Sequence, residues 1–149
     1  MTTIGRIIGI AIRDGVRGAM VEKAEARATE NGGLEGDNAS QPERGLTLLA
    51  SGPWRTVQQE LKAEIPWHSR RANVLVEAES LGTWIGRTLE VGSVRVQVLG
   101  ETKPCDLMDR VYPGLKLVLK PDYRAGVHGR ILRGGVLRVG DPVVVTDSA

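Results

Sequence analysis

Residues 87–101 read RTLEVGSVRVQVLGE, and no other stretch limits the fold as strongly. Leu89 and Val91 alternate with polar residues before Gly92-Ser93, and Val94, Val96 and Val98 alternate after it. A period of two with a small-residue break predicts two half-buried strands joined by a tight turn. The same rhythm closes the chain. VHGRILRGGVLRVGDPVVV carries short apolar runs punctuated at Gly134-Gly135 and at Gly140-Asp141-Pro142. With three Trp, two Tyr and no Phe, the core has to rest on Val, Leu and Ile, which favour sheet.

Upstream, Ile8, Ile10 and Ile12 alternate and predict a strand with one buried face. AMVEKAEARAT fits either a strand or a short helix, whereas Gly, Asn, Asp, Ser and Pro crowd residues 30–45 into a long loop. LTLLA reads as a strand. Ser51 is placed to cap a helix in which Trp54, Val57 and Leu61 share one face. A strand starts near Asn73, Ser80 caps a turn that buries Leu81, Trp84 and Ile85, and LKLVLK reads as another strand. Seven or eight short strands with two or three short helices predict a mainly β fold. The expected architecture is a closed or partly open β-barrel, one domain over residues 1–149. A parallel βαβ sheet is disfavoured, because few helices are long enough to cross over.

The charge balance is 20 basic against 18 acidic residues, too even for a nucleic-acid binder. Fifteen of the basic residues are Arg, which grips phosphate and carboxylate through a planar fork and so favours a small anionic ligand. A GC-rich genome produces the same skew. One cysteine excludes an intrachain disulfide. Arg6 and Arg13 break the apolar N-terminal run below spanning length, and no small-residue cleavage site follows it. A soluble cytoplasmic protein with no membrane partner is expected.

That single thiol, Cys105, lies in GETKPCDLMDR between a strand-like and a helix-like run. A lone cysteine serves either as a small buried hydrophobe or as a reactive group. Pro104 suits the first turn of a helix, where unpaired N–H groups and Lys103 would favour a thiolate, against Glu101 and Asp106. In RRAN, Arg70 and Arg71 read as a phosphate clamp with Asn73 as a further donor, or as ordinary surface arginines before a strand. GLEGD with Arg44 reads as a turn tied by Asp37, and it lacks the Lys-Ser/Thr ending of a phosphate loop. If Arg124, His128 and Arg130 all lie on one strand, they share a face, either against an anion or against solvent. Two histidines and one cysteine in separate segments do not make a tetrahedral zinc site without carboxylates, and a Cys–His dyad with His68 or His128 stays open.

Taken in order, GLEGD, RGLTLL, RRANVLV, LGTWIGRTLEVGSVRVQV, KPC and RAGVHGRILRGGVLRVGD resemble the MOSC domain, the C-terminal domain of molybdenum cofactor sulfurases. The likeness runs from about Ile8 to Val145, and the length is that of the small stand-alone bacterial members. It implies a β-barrel and a role with the molybdenum cofactor (molybdopterin). A single cysteine, matching Cys105, would carry sulfur from a pyridoxal-phosphate-dependent cysteine desulfurase or ligate molybdenum directly. Cofactor anchors carry over to Arg71 and Asn73, with Arg44 and Arg124 as further candidates. Pyridoxal phosphate is implied only through the partner desulfurase. The resemblance leaves two other functions. One is a molybdenum-dependent reductase component for N-hydroxylated small molecules, fed by an electron-transfer or molybdoenzyme partner. The other is a binding barrel with no reactive thiol.

Overall fold

The computed structural model describes residues 2–15, 18–38 and 41–146. Ten strands form: β1 (Thr2–Arg13), β2 (Met20–Lys23), β3 (Glu25–Ala28), β4 (Leu46–Ala50), β5 (Val74–Val76), β6 (Thr88–Val91), β7 (Val94–Glu101), β8 (Val127–Arg133), β9 (Gly135–Arg138) and β10 (Pro142–Val145). Helix α1 (Ser51–Leu61) follows β4 directly, and two single-turn helices, α2 (Leu107–Val111) and α3 (Leu115–Leu119), lie between β7 and β8. Seven strands close into a barrel in the order β10-β6-β7-β8-β4-β5-β1, sealed by β1 pairing with β10. β2 extends this sheet from β1, and β3 with β9 makes a separate ribbon. Closure removes the unpaired edges that an open sheet of this composition would expose.

The period-two runs account for the barrel. Val94, Val96 and Val98 of β7 point inward, as do Leu89 and Val91 of β6, with Val91 directly opposite Val94 across the turn. With Ile7, Ile10, Leu46, Leu48, Val74, Val76, Ile131 and Val143 they make the main core. Each side chain so buried contributes about 1.5–3 kcal/mol. Met20–Lys23 and Glu25–Ala28 are two short strands, which settles the strand-or-helix reading of that segment. Ser80 lies one residue before the turn Gly82–Trp84, whose capping position is Leu81; its hydroxyl accepts from the Gly82 N–H at 3.3 Å, and Leu81 and Trp84 are buried beneath.

Several expectations are corrected. Ile8 does not share a face with Ile10 and Ile12: a bulge between Ile7 and Gly9 turns Ile7 inward and leaves Ile8 39% exposed. Gly9 of that bulge lies under the Trp67 ring, where a Cβ would meet Cζ2 at 2.8 Å. LKLVLK is mainly helix α3, not strand. Leu115 and Leu119, one helical turn apart, are buried and Leu117 is 70% exposed, a pattern that period two could not separate from 3.6 over so few residues. Ser51 is the first residue of α1 rather than its cap; Ala50 holds that position in extended backbone. The Gly134-Gly135 break holds, with β9 beginning at Gly135.

One parallel pair does occur. β4 and β5 run side by side with α1 as the crossover. Both faces of the pair are covered, with Thr47 and Leu75 only partly buried, in the manner of parallel strands. Leu48, Val74 and Val76 enter the barrel core, whereas Leu49 and Leu75 join a second apolar cluster with Trp54, Val57, Met108, Leu115 and Leu119. Trp54 fastens α1 there, its indole N–H donating to the Ile65 carbonyl at 3.0 Å. No helix among the described residues is long and apolar enough to cross a membrane.

Candidate functional site

A cleft of about 270 Å³ opens where the second cluster meets one rim of the barrel. Arg13 at the end of β1 and Met20 at the start of β2 form one side, and Asp37, Gln41 and Arg44 of the long loop form the mouth. Thr47 and Leu48 of β4 and residues 70–73 before β5 line its depth. Thr102, Cys105, Leu107, Met108 and Ala125 close the opposite wall. Four arginines thus face one carboxylate.

The two arginines of RRAN part company. Arg71 has left-handed backbone (φ 69°), which ends the short 3-10 turn Trp67–Arg70 and sends the neighbouring side chains to different walls. Arg71 donates to the Gly18 carbonyl at 3.3 Å. Burial lowers its pKa, Arg13 adds to that and Asp37 opposes it. Arg70 is only 7% exposed and donates to the carbonyls of Ala125 at 3.0 Å and Thr102 at 2.7 Å, with the Met108 sulfur 3.9 Å away. Burial pushes the guanidinium down to about 10; negative charge on the Cys105 sulfur works against this, and Arg44 works with it. It stays cationic at neutral pH, held by neutral acceptors alone. The side-by-side clamp expected from the sequence is therefore replaced by two cations on opposite sides.

Asn73 lines the cleft, yet its amide is committed to the fold. Oδ1 accepts from the Thr47 N–H at 3.2 Å and the Thr47 hydroxyl at 3.1 Å, while Nδ2 donates to the Ala11 carbonyl at 3.2 Å. These bonds join β4, β5 and β1 and leave one amide proton for anything in the cleft. Asp37 accepts from the Arg13 backbone N–H at 2.7 Å, so the GLEGD turn is pinned to β1.

Cys105 is exposed and faces the cleft. Pro104 and Cys105 precede α2 rather than opening it: the helix starts at Leu107 with Asp106 before it, and the Met108 N–H donates to the Cys105 carbonyl at 3.0 Å. Asp106 is drawn instead to Lys116, which lowers the carboxyl pKa and raises that of the amine.

The structure does not gather every expected residue. Arg124 precedes β8, outside the strand that was to align it with His128 and Arg130. It pairs with Glu60 at 3.0 Å and donates to the Val118 carbonyl, away from the cleft. Arg130 pairs with Glu43 at 3.3 Å. Neither histidine lines the cleft. His68 packs edge-on against Trp67 at 5.8 Å, and His128 is held below its usual pKa by burial and by Arg44, against a hydrogen bond that the imidazole donates to the Glu101 backbone carbonyl. Among the described residues no group of three or more His, Cys, Asp or Glu could hold a metal ion. Thr102 escaped the sequence reading; its nearness to Cys105 at the end of a strand was the available signal.

The MOSC domain family model matches residues 35–144. Among solved structures, the YuaD protein from Bacillus subtilis superposes with a TM-score of 0.81 at 15% identity, covering 97% of each chain. YiiM from Escherichia coli superposes at 0.74 with 16% identity, over 97% of this chain and 71% of that one. YiiM from Geobacillus stearothermophilus gives 0.73 with 16% identity, over 98% and 75%. At these identities the likeness is one of fold. A search of curated proteins found no match.

Proposed function

The chain belongs to the MOSC domain family, and from that premise we propose that it works with the molybdenum cofactor, with Cys105 as sulfur carrier or as molybdenum ligand. One observation carries this reading: the exposed thiol opens on the same cleft as Arg13, Arg44, Arg70 and Arg71. The residues suit the group. A thiolate is soft and serves sulfur exchange or a transition metal, and guanidinium forks suit a phosphate. One thiolate cannot hold a metal by itself, so molybdenum would arrive with its own pterin dithiolene. Arg44 and Arg71 would hold the anionic groups, and Cys105 would face the metal. When bound, the cofactor supplies atom-transfer and redox chemistry that no side chain here provides.

The cations of the cleft are arginines, and a guanidinium does not form the imine that anchors pyridoxal phosphate. We therefore place that cofactor on a partner cysteine desulfurase, which would deliver sulfur to Cys105. The test is expression in a cofactor-competent host, with molybdenum, pterin and persulfide measured per chain beside Cys105→Ser. The expected result is one of these loads on the wild type, lost or reduced in the variant. A wild type without metal, pterin or persulfide refutes the proposal.

A further inference from the structure

Cleft and thiol together specify more than a carrier. A guanidinium has five N–H groups. Those of Arg70 are spent on Ala125, Thr102 and the Met108 sulfur, which leaves one on each terminal nitrogen. Beside it Thr102, also 7% exposed, holds a buried hydroxyl with no hydrogen-bond partner among the described residues. Arg44, at the mouth, makes no side-chain hydrogen bond or ion pair among the described residues and is near enough to lower the Arg70 pKa. The Thr102 hydroxyl, a buried donor without an acceptor, carries a standing penalty, and beside the spare N–H groups of Arg70 and the exposed Arg44 the ligand suited to remove it is a small oxyanion. The nucleophile stands in the same cleft.

Resting on the reading of Cys105 as a sulfur carrier, we infer that this cleft takes sulfane sulfur from a thiosulfate-class donor, its sulfonate held by Arg70, Thr102 and Arg44. Cys105 loses its proton to water across its exposed face, and the thiolate attacks the outer sulfur. A bond forms between Sγ and that sulfur, the S–S bond of the donor breaks, and its electron pair leaves with sulfite. The central sulfur gains the two electrons that the two persulfide sulfurs lose, so no other oxidant is required. A thiolate meeting a dianion is repelled in water; the cations beside the reacting sulfurs offset that repulsion and stabilise the departing sulfite.

The experiment mixes the purified full-length chain with thiosulfate and follows intact mass and sulfite. The expected result is one sulfur atom gained and one sulfite released per chain, neither occurring in Cys105→Ser. Loss of a charge-assisted contact in Arg70→Lys slows the transfer by at least about tenfold. Arg44→Ala, an exposed change that threatens no packing, slows it several-fold. Sulfate competes with the donor on the wild type at constant ionic strength. A parallel arm uses inorganic polysulfide, which has no oxygens. Persulfide from polysulfide but not from thiosulfate overturns the donor assignment and spares the carrier. Persulfide from neither overturns both. Transfer from thiosulfate at undiminished rate in Arg70→Lys and Arg44→Ala, with no competition by sulfate, overturns the anchor.

Discussion

Asn73 is where the expectation of a ligand anchor and the observed hydrogen bonds diverge, and Asn73→Ala separates them. The side chain is 5% exposed, so water does not replace what the substitution removes. Three bonds are lost: two into Oδ1 from Thr47 and one from Nδ2 to the Ala11 carbonyl. At about 1 kcal/mol each, the loss comes to about 3 kcal/mol. For a chain of this size that corresponds to a melting temperature lower by about 6–12 °C. The assay is urea unfolding without any ligand, wild type beside variant, with the slope unchanged and the midpoint lower. Asn73→Asp keeps the acceptor for Thr47 but turns an oxygen toward the Ala11 carbonyl, and is expected to be no more stable than the alanine variant. A shift below about 1 kcal/mol in Asn73→Ala would refute the structural role, since one net hydrogen bond is worth that much.

Cys105→Ser, at an exposed position, is expected to change stability by no more than about 0.5 kcal/mol while abolishing any persulfide; a large drop in melting temperature would mean that the thiol is a packing group after all. Gly126→Ala would place a Cβ 2.3 Å from the Leu48 carbonyl at a φ of +99°, and is expected to lose about 2 kcal/mol or more by thermal melting, near-neutral behaviour counting against the register of β8 beside β4. Because burial holds His128 below the ordinary histidine range, the unfolded chain binds its proton first as the pH falls. Stability is therefore full above that range and is lost on acidification through it. His128→Gln should flatten the decline, and parallel pH curves for the two proteins would contradict the assignment.

The barrel was legible in the sequence because its signal is local. Alternation at Leu89, Val91, Val94, Val96 and Val98 with one glycine turn leaves little choice of structure. LKLVLK was not, because a single helical turn that buries Leu115 and Leu119 carries the same letters as a short strand. The parallel pair of β4 and β5 was hidden for another reason: strand, helix and strand were each readable, but nothing local tells that the single helix α1 returns the chain to pair β5 directly beside β4. At the site, residue type was readable and direction was not. RRAN displays two arginines, but only the left-handed backbone at Arg71 decides that they diverge. Nothing local tells that Asn73 is tied to Thr47 and Ala11, which lie far from it along the chain. Arg124 looked like part of a strand face because the start of β8 could not be fixed from a glycine-rich run.

The doubly covered pair β4–β5 has a dynamic consequence. The wall that carries Met108 beside Cys105 is anchored in the smaller apolar cluster, while the Asn73 wall belongs to the closed cylinder. Each packed region has its own opening free energy. Amide exchange is thus expected to be slower along the cylinder than in the layer of single-turn helices above it. The thiol would then ride on a section that loosens by itself, giving a bulky guest room to enter while the strands beneath keep their register.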